Sequence, residues 1–234
     1  MSEGIVIVGA SHAGISLADA LRKFEYKGSV TIIDEQQGIP TERPPLSKNF
    51  LLSDVDKPRD GFALRPNSWF EIKDLNLREG IKVLSIDRKR QVLSLSDNSL
   101  LSYEKLVLAT GADPIKLALP NNFDEFFLLR NVSDAEAIRE SAQKSETALI
   151  VGGGYIGLEV AASLRTLGLA VVVIEAQSRL LARVASPFIA EKITDIHKAN
   201  GVQICLECSA KSVERNDLNR IKVVLDDGNT LFPE

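Results

Sequence analysis

The sequence is poor in cysteine, holding only Cys205 and Cys208 in 234 residues. That excludes a disulfide framework, and the run after Met1 is strand-like rather than a basic segment followed by a cleavage site, so the chain reads as cytoplasmic. It also lacks long hydrophobic runs. Every apolar stretch is cut by glycine or a charge within about eight residues, and a membrane-spanning helix needs about 18 to 20, so no bilayer-spanning segment is expected. Positive charge is not in surplus either: 28 Lys and Arg stand against 32 Asp and Glu, for a net charge of −4. No general basic field exists to hold a nucleic acid, although a local basic patch for an acidic protein partner stays open. What is present is the balance of an ordinary folded protein, 44% hydrophobic and 26% charged, with room for one large or two ordinary domains.

The same plan occurs twice. The β-branched run Gly4 to Val8 meets Gly9-Ala10-Ser11-His12-Ala13-Gly14, and Ile15 to Phe24 then carries apolar residues at helical spacing. After Gly28 a second apolar run, Ser29 to Ile33, ends in Asp34-Glu35, completing a βαβ unit with buried parallel strands. Later, Ala148 to Val151 leads into Gly152-Gly153-Gly154-Tyr155-Ile156-Gly157, a helix through Leu167, a stop at Gly168 and a strand Ala170 to Ile174 ending in Glu175. Gly80-Ile81-Lys82-Val83 reads as the counterpart of Gly201-Val202-Gln203-Ile204. Hairpins follow in both halves, Gln91 to Leu101 turning at Asp97-Asn98 and Lys222 to Leu231 turning at Asp226-Asp227-Gly228. The first half adds a closing strand, Lys105 to Ala109. The second stops at Glu234 where the repeat predicts another strand, so the chain reads as cut short.

A phosphate bridge rests on helix N-terminal amides only where the backbone can approach closely. Gly152, Gly154 and Gly157 fill the three places of the dinucleotide-binding turn: one for the turn, one for pyrophosphate approach and one for helix packing. Glu175 follows at the distance suited to a ribose 2′-hydroxyl. A carboxylate there repels a 2′-phosphate and no arginine adjoins it, Arg179 being the nearest, which favours NADH over NADPH. In the first turn Ser11 replaces the middle glycine between Gly9 and Gly14, with Glu35 or Asp34 as ribose acceptor. The expected fold is α/β: two Rossmann-like dinucleotide-binding units with parallel sheets and β-hairpin additions.

Together with Arg43-Pro44-Pro45-Leu46-Ser47-Lys48 after the first unit and Leu108-Ala109-Thr110-Gly111-Ala112 between the units, this order closely resembles the flavin-dependent NADH:ferredoxin reductases. That group includes the putidaredoxin, rubredoxin and dioxygenase-linked reductases of the pyridine nucleotide-disulfide oxidoreductase superfamily. The resemblance implies an FAD-binding domain over residues 1–112 and an NAD-binding domain over 113–234, the latter without its last strand. It also implies that the family's later Gly-Asp segment and C-terminal domain are absent. By the same resemblance Ala13, Glu35, Lys48, Val83 and Arg130 match FAD-contacting positions. Gly9, Ser11, Gly14, Arg43, Ala109, Thr110 and Gly111 join them as cofactor-binding candidates, as do Gly152, Gly154, Tyr155, Ile156, Gly157, Glu159, Glu175 and Arg183 in the second half. Lys48 resembles the cation at flavin N5 and O4, Glu159 its ion-pair partner, Tyr155 the aromatic that covers the flavin, and Arg183 a residue that helps hold NADH. Asp113 stands where family members often carry arginine.

The implied reaction passes hydride from NADH to FAD and single electrons onward to an iron–sulfur protein, a ferredoxin or rubredoxin. Lys48, Glu159 and Tyr155 are the catalytic candidates, and no metal site is read. The competing enzyme class, a disulfide reductase or NADH peroxidase, needs a redox cysteine beside the flavin, and none lies near Pro40 to Lys48. Cys205-Leu206-Glu207-Cys208 has redox or metal spacing, but on a strand residues three apart point to opposite faces, so that reading is set aside. A non-catalytic nucleotide-binding fragment is the remaining alternative. His12 and His197 read as structural.

Overall fold

The computed structural model describes residues 4–53, 59–117, 126–215 and 221–231. The chain forms two compact units, each built from βαβ elements. Chain order predicts a single division at 112/113, whereas the first unit comprises residues 1–43 and 56–113 and the second residues 44–55 and 114–234. The Pro44 to Lys48 stretch therefore belongs with the second unit, because its buried residues find their partners on helices of that unit.

In the first unit β1 (Ile5–Val8), α1 (His12–Lys23) and β2 (Val30–Ile33) are followed by α2 (Asn67–Ile72), β3 (Asn76–Arg78), β4 (Val83–Asp87), β5 (Val92–Leu95), β6 (Leu100–Ser102) and β7 (Lys105–Leu108). β3, β2, β1 and β7 form a parallel sheet in that order, with Ile7 opposite both Ile32 and Val107. β4, β5 and β6 form a separate antiparallel meander. Alternation along β1 buries both faces of the sheet. Ile7 packs with Ile15 and Ala18 of α1, while Val6 packs with Leu93, Leu95 and Tyr103 of the meander.

The second unit repeats this with α3 (Val132–Ala142), β8 (Thr147–Val151), α4 (Tyr155–Thr166), β9 (Ala170–Glu175), α5 (Pro187–Ala199), β10 (Val202–Leu206) and the meander β11 (Ala210–Arg215), β12 (Ile221–Leu225), β13 (Thr230–Leu231). Its parallel sheet runs β10-β9-β8. α4 packs on β8 and β9 and buries Leu158, Ala161 and Leu164, and Ile174 faces the meander residues Val213, Val223 and Leu225. Gly168, at φ 97°, ends α4 by taking the left-handed conformation that closes a helix.

The repeat is real, but its register differs from the expected pairing of Gly80 with Gly201. The strand after Gly201 (φ 82°) is the parallel β10, and its counterpart β3 follows Asp74 (φ 50°). Gly80 instead matches Glu207 (φ 52°): the Gly80 amide donates to Gln36 O and the Glu207 amide to Gln177 O, at 2.9 and 3.1 Å. Aspartate can adopt the left-handed conformation in place of glycine, so glycine spacing alone misaligns the two halves. Among the described residues no helix is long and apolar enough to cross a membrane.

Candidate functional site

Both glycine turns are built alike, and each glycine has its own reason. Gly9 and Gly152 take φ values of 108° and 107°, which L side chains rarely adopt. A Cβ on Gly14 would strike the Gly9 carbonyl oxygen, and one on Gly157 would strike that of Gly152, so the third glycine lets the helix close onto its own turn. Among the described residues a Cβ on Gly154 would meet nothing within 4 Å. The space over that residue is open, as the approach of a phosphate requires. Ser11 and Gly154 occupy the N-cap positions of α1 and α4, and neither helix has a side-chain cap bond or an acidic residue in its first turn. Two helix N-termini with uncapped amides are suited to anions.

The acidic residue at the end of each second strand is drawn into the turn. Glu175 accepts from the Gly153 amide at 2.7 Å and from the Gln177 amide at 2.8 Å, one on each carboxylate oxygen. Asp34 does the same with the amides of Ala10 and Gln36, at 2.7 and 2.8 Å. Asp34 is therefore the positional equal of Glu175. Glu35 lies one residue further out, exposed and 3.0 Å from Lys82 Nζ. Lys82 holds its proton above the usual lysine range because of Glu35 and, to a lesser degree, Asp113. The sequence left Asp34 and Glu35 as alternatives and gave no sign of Lys82.

Of the other first-unit candidates, Ala13 is exposed on the first turn of α1, and Val83 opens β4 opposite Leu95. The Ala109 amide donates to Val8 O, and Thr110 and Gly111 (φ 74°) follow it at the surface. Arg43 is half-buried. Ala109 also packs against the first turn, since a Cβ on Gly9 would meet its carbonyl oxygen.

In the second unit a cavity of about 1140 Å³ opens over the glycine turn, with Tyr155, Ile156, Glu175 and Arg183 on its wall. Tyr155 and Ile156 are more than half exposed, so Tyr155 is not a core residue. Arg183 is exposed, whereas Arg179 is occupied by the carbonyls of Ala182 and Ala185 at 2.8 and 2.9 Å. Lys48 follows a 3₁₀ turn, Pro44–Ser47, and its Nζ lies 2.6 Å from Glu159 Oε2 on α4 and 3.1 Å from Pro44 O. Arg130 precedes the capping box of α3, in which Asn131 and Asp134 cap each other, and Asp134 also accepts the Arg130 amide at 2.8 Å. Its Nε is buried with no hydrogen-bond partner among the described residues. A buried donor in that state fits an acceptor on a bound ligand.

The cysteines correct the opposite-face argument. β10 ends at Leu206, and Glu207 in the left-handed conformation cancels the alternation. Cys205 and Cys208 thus enter the same apolar cluster with their side chains in hydrogen-bonding contact. Burial, Cys205 and the nearby Asp227 and Asp226 push the Cys208 thiol up to about 12, which keeps it protonated and unreactive. Among the described residues no group of three or more His, Cys, Asp or Glu is arranged to hold a metal ion.

Two strand–glycine turn–helix units, each closed by a carboxylate on its own turn, define an α/β protein of the paired Rossmann-like class. Residues 3–232 match the model of the family described as pyridine nucleotide-disulphide oxidoreductase. The chain belongs to that family. It is 36% identical to rhodocoxin reductase of Rhodococcus erythropolis over 98% of this chain and 54% of that protein. To the rubredoxin-NAD(+) reductase of Pseudomonas putida it is 34% identical over 97% of this chain and 59% of that protein. The crystal structure of the ferredoxin reductase for the CYP199A2 system from Rhodopseudomonas palustris superposes with a TM-score of 0.93 at 34% identity, covering 99% of this chain and 57% of that one. The covalent putidaredoxin reductase–putidaredoxin complex matches with a TM-score of 0.91 at 31% identity, over 100% of this chain and 57% of that one. The chain spans a little over half the length of these curated relatives.

Proposed function

We propose that this chain is the nucleotide-binding portion of an NADH-dependent flavoprotein reductase that delivers electrons to a small iron–sulfur protein of the ferredoxin or rubredoxin kind. The observation that carries the reading is the pair of uncapped glycine turns, each with its carboxylate held on the turn amide. The names of the similar reductases support the electron acceptor.

FAD is assigned to the first unit through Gly9, Ser11, Ala13, Gly14, Glu35, Val83, Ala109, Thr110 and Gly111, with Arg43, Lys48 and Arg130 as further contacts. The orphaned Nε of Arg130 is what a flavin phosphate or carbonyl oxygen would satisfy. NADH is assigned to the second turn through Gly152, Gly154, Tyr155, Ile156, Gly157, Glu175 and Arg183, where the open space at Gly154 fits a pyrophosphate. Bound flavin would supply the change from two-electron to one-electron transfer. The protein's own residues bind and polarise. Lys48, braced by Glu159, presents an ammonium suited to stabilise negative charge on the flavin's N5–O4 edge. Tyr155, more than half exposed, is the aromatic assigned to cover the flavin and give way to a nicotinamide. Glu175 accepts from the ribose and repels a 2′-phosphate, and Arg179 is already engaged with backbone carbonyls. The free thiols of Cys205 and Cys208 support a cytoplasmic location.

The test is the visible spectrum of the purified protein with FAD added, then NADH under anaerobic conditions. Flavin bands that bleach with NADH, followed by reduction of a ferredoxin or rubredoxin, are the expected result. A protein that binds NADH but takes up no FAD overturns the reductase reading for this chain and leaves a nucleotide-binding module.

A further inference from the structure

The proposed site contains a buried hydroxyl, that of Ser47, which lies within the Arg43 to Lys48 stretch but was given no role by the sequence. Ser47 is 4% exposed, and its Oγ lies 2.5 Å from Glu159 Oε2, donating to the same carboxylate oxygen that faces the Lys48 ammonium. Its own carbonyl is held in turn: Ser163 Oγ, also buried, donates to Ser47 O at 2.8 Å. Glu159 and Ser163 are four residues apart on α4 and so share one helix face. One face of α4 therefore grips Ser47 at two points, by side chain and by backbone.

The pair of charges cannot supply this order by itself. The Lys48 and Glu159 side chains are 46% and 31% exposed, and an ion pair that open to water is weak and costs rotamer freedom in two long side chains. A serine side chain has one rotor, and this one is buried on a backbone segment that Ser163 holds in place. Charge-assisted hydrogen bonds to a carboxylate are about twice as strong as neutral ones.

We propose that Ser47 is the positioning residue of this site: its hydroxyl fixes the Glu159 carboxylate, and through it the Lys48 ammonium. This rests on the reductase reading for what the ammonium acts upon, but the geometry can be tested without flavin. The experiment is proton–nitrogen NMR of lysine side-chain ammonium groups in the flavin-free protein, which detects only ammonium groups held long enough to escape rapid exchange. The Lys48 signal is assigned by its disappearance in Lys48→Ala.

The expected result is a persistent Lys48 signal in the wild type, lost in Ser47→Ala and in Glu159→Gln, with Ser47→Ala adding no further effect on Lys48 in the Glu159→Gln background. A Lys48 signal that survives Ser47→Ala in a protein with an unchanged amide spectrum overturns the proposal. Should Ser47→Ala fail to fold, the wild type still decides the matter, because a hydroxyl held as described gives a slowly exchanging Ser47 proton close in space to the Glu159 side chain. Its absence also overturns the proposal. Where FAD is bound, Ser47→Ala should slow flavin reduction by about 10-fold or more with NADH affinity unchanged, a split that general loosening of the fold would not produce. A protein that binds no FAD defeats the reductase reading and leaves the ammonium result standing.

Discussion

The two units solve one problem with different degrees of closure. In the first, β7 pairs with β1 and Ala109 presses its carbonyl toward Gly9, so that glycine is needed for backbone conformation and for space. In the second, a Cβ on Gly152 would meet nothing within 4 Å among the described residues, and there it is the positive φ that calls for glycine. The first turn carries Ala10 and Ser11 where the second has Gly153 and Gly154. Among the described residues the first turn is thus the more closely packed of the two.

The largest test of this comparison is to break each turn separately. Gly14→Ala and Gly157→Ala both force a Cβ into a backbone carbonyl, and each should cost its own unit about 3 kcal/mol or more. The single tryptophan, Trp69, lies on α2 of the first unit. Urea unfolding followed by its fluorescence should shift strongly in Gly14→Ala and little in Gly157→Ala. Equal shifts would show that the units do not respond separately.

A smaller difference separates Gly9→Ala from Gly152→Ala. Both strain a positive φ, but among the described residues only Gly9 adds a backbone collision, so its variant should destabilise its own unit by about 1–2 kcal/mol more, read by amide hydrogen exchange within each unit. Next come the carboxylates. Glu175→Ala should weaken NADH binding by about 10-fold, roughly 1.4 kcal/mol, and narrow the preference over NADPH, read by nucleotide fluorescence titration. Asp34→Ala should leave NADH binding where it was. An equal loss in both variants would end the assignment of one nucleotide to each turn.

The smallest effect concerns Ile81 and Cys208, which hold equivalent places: their amides donate to Asp34 O and Glu175 O, at 2.9 and 3.0 Å. Only the cysteine titrates. Unfolded, its thiol ionises near 9.0, while folded it keeps its proton to about 12. Its contribution is present below pH 9 and is lost as pH rises toward 12. Alkaline denaturation should show this loss in the wild type and not in Cys208→Val, and iodoacetamide should label Cys205 well before Cys208.

Most of the fold was legible because its signals are local. β-branched runs ending in glycine turns, helical apolar spacing and a carboxylate after the second strand occur within about thirty residues, and local spacing is what sequence displays. The turn residues of the site were legible for the same reason. Less legible were the places where another residue type did a glycine's work: Asp74 in the conformation of Gly201 shifted the repeat, and Glu207 in that of Gly80 turned Cys208 onto the face of Cys205. A left-handed residue that is not glycine leaves little mark in sequence.

By itself the amino-acid sequence determined two βαβ units, where each glycine turn falls and which charged residues flank them, since backbone sterics and burial periodicity act between near neighbours. Only the tertiary structure decided that residues 44–55 join the second unit, that Asp34 rather than Glu35 closes the first turn, and that Ser47 holds Glu159. The physical reason is distance along the chain. Ser47 and Glu159 are 112 residues apart, and no local propensity marks a hydroxyl for a carboxylate that reaches it only when α4 has packed against the 3₁₀ turn.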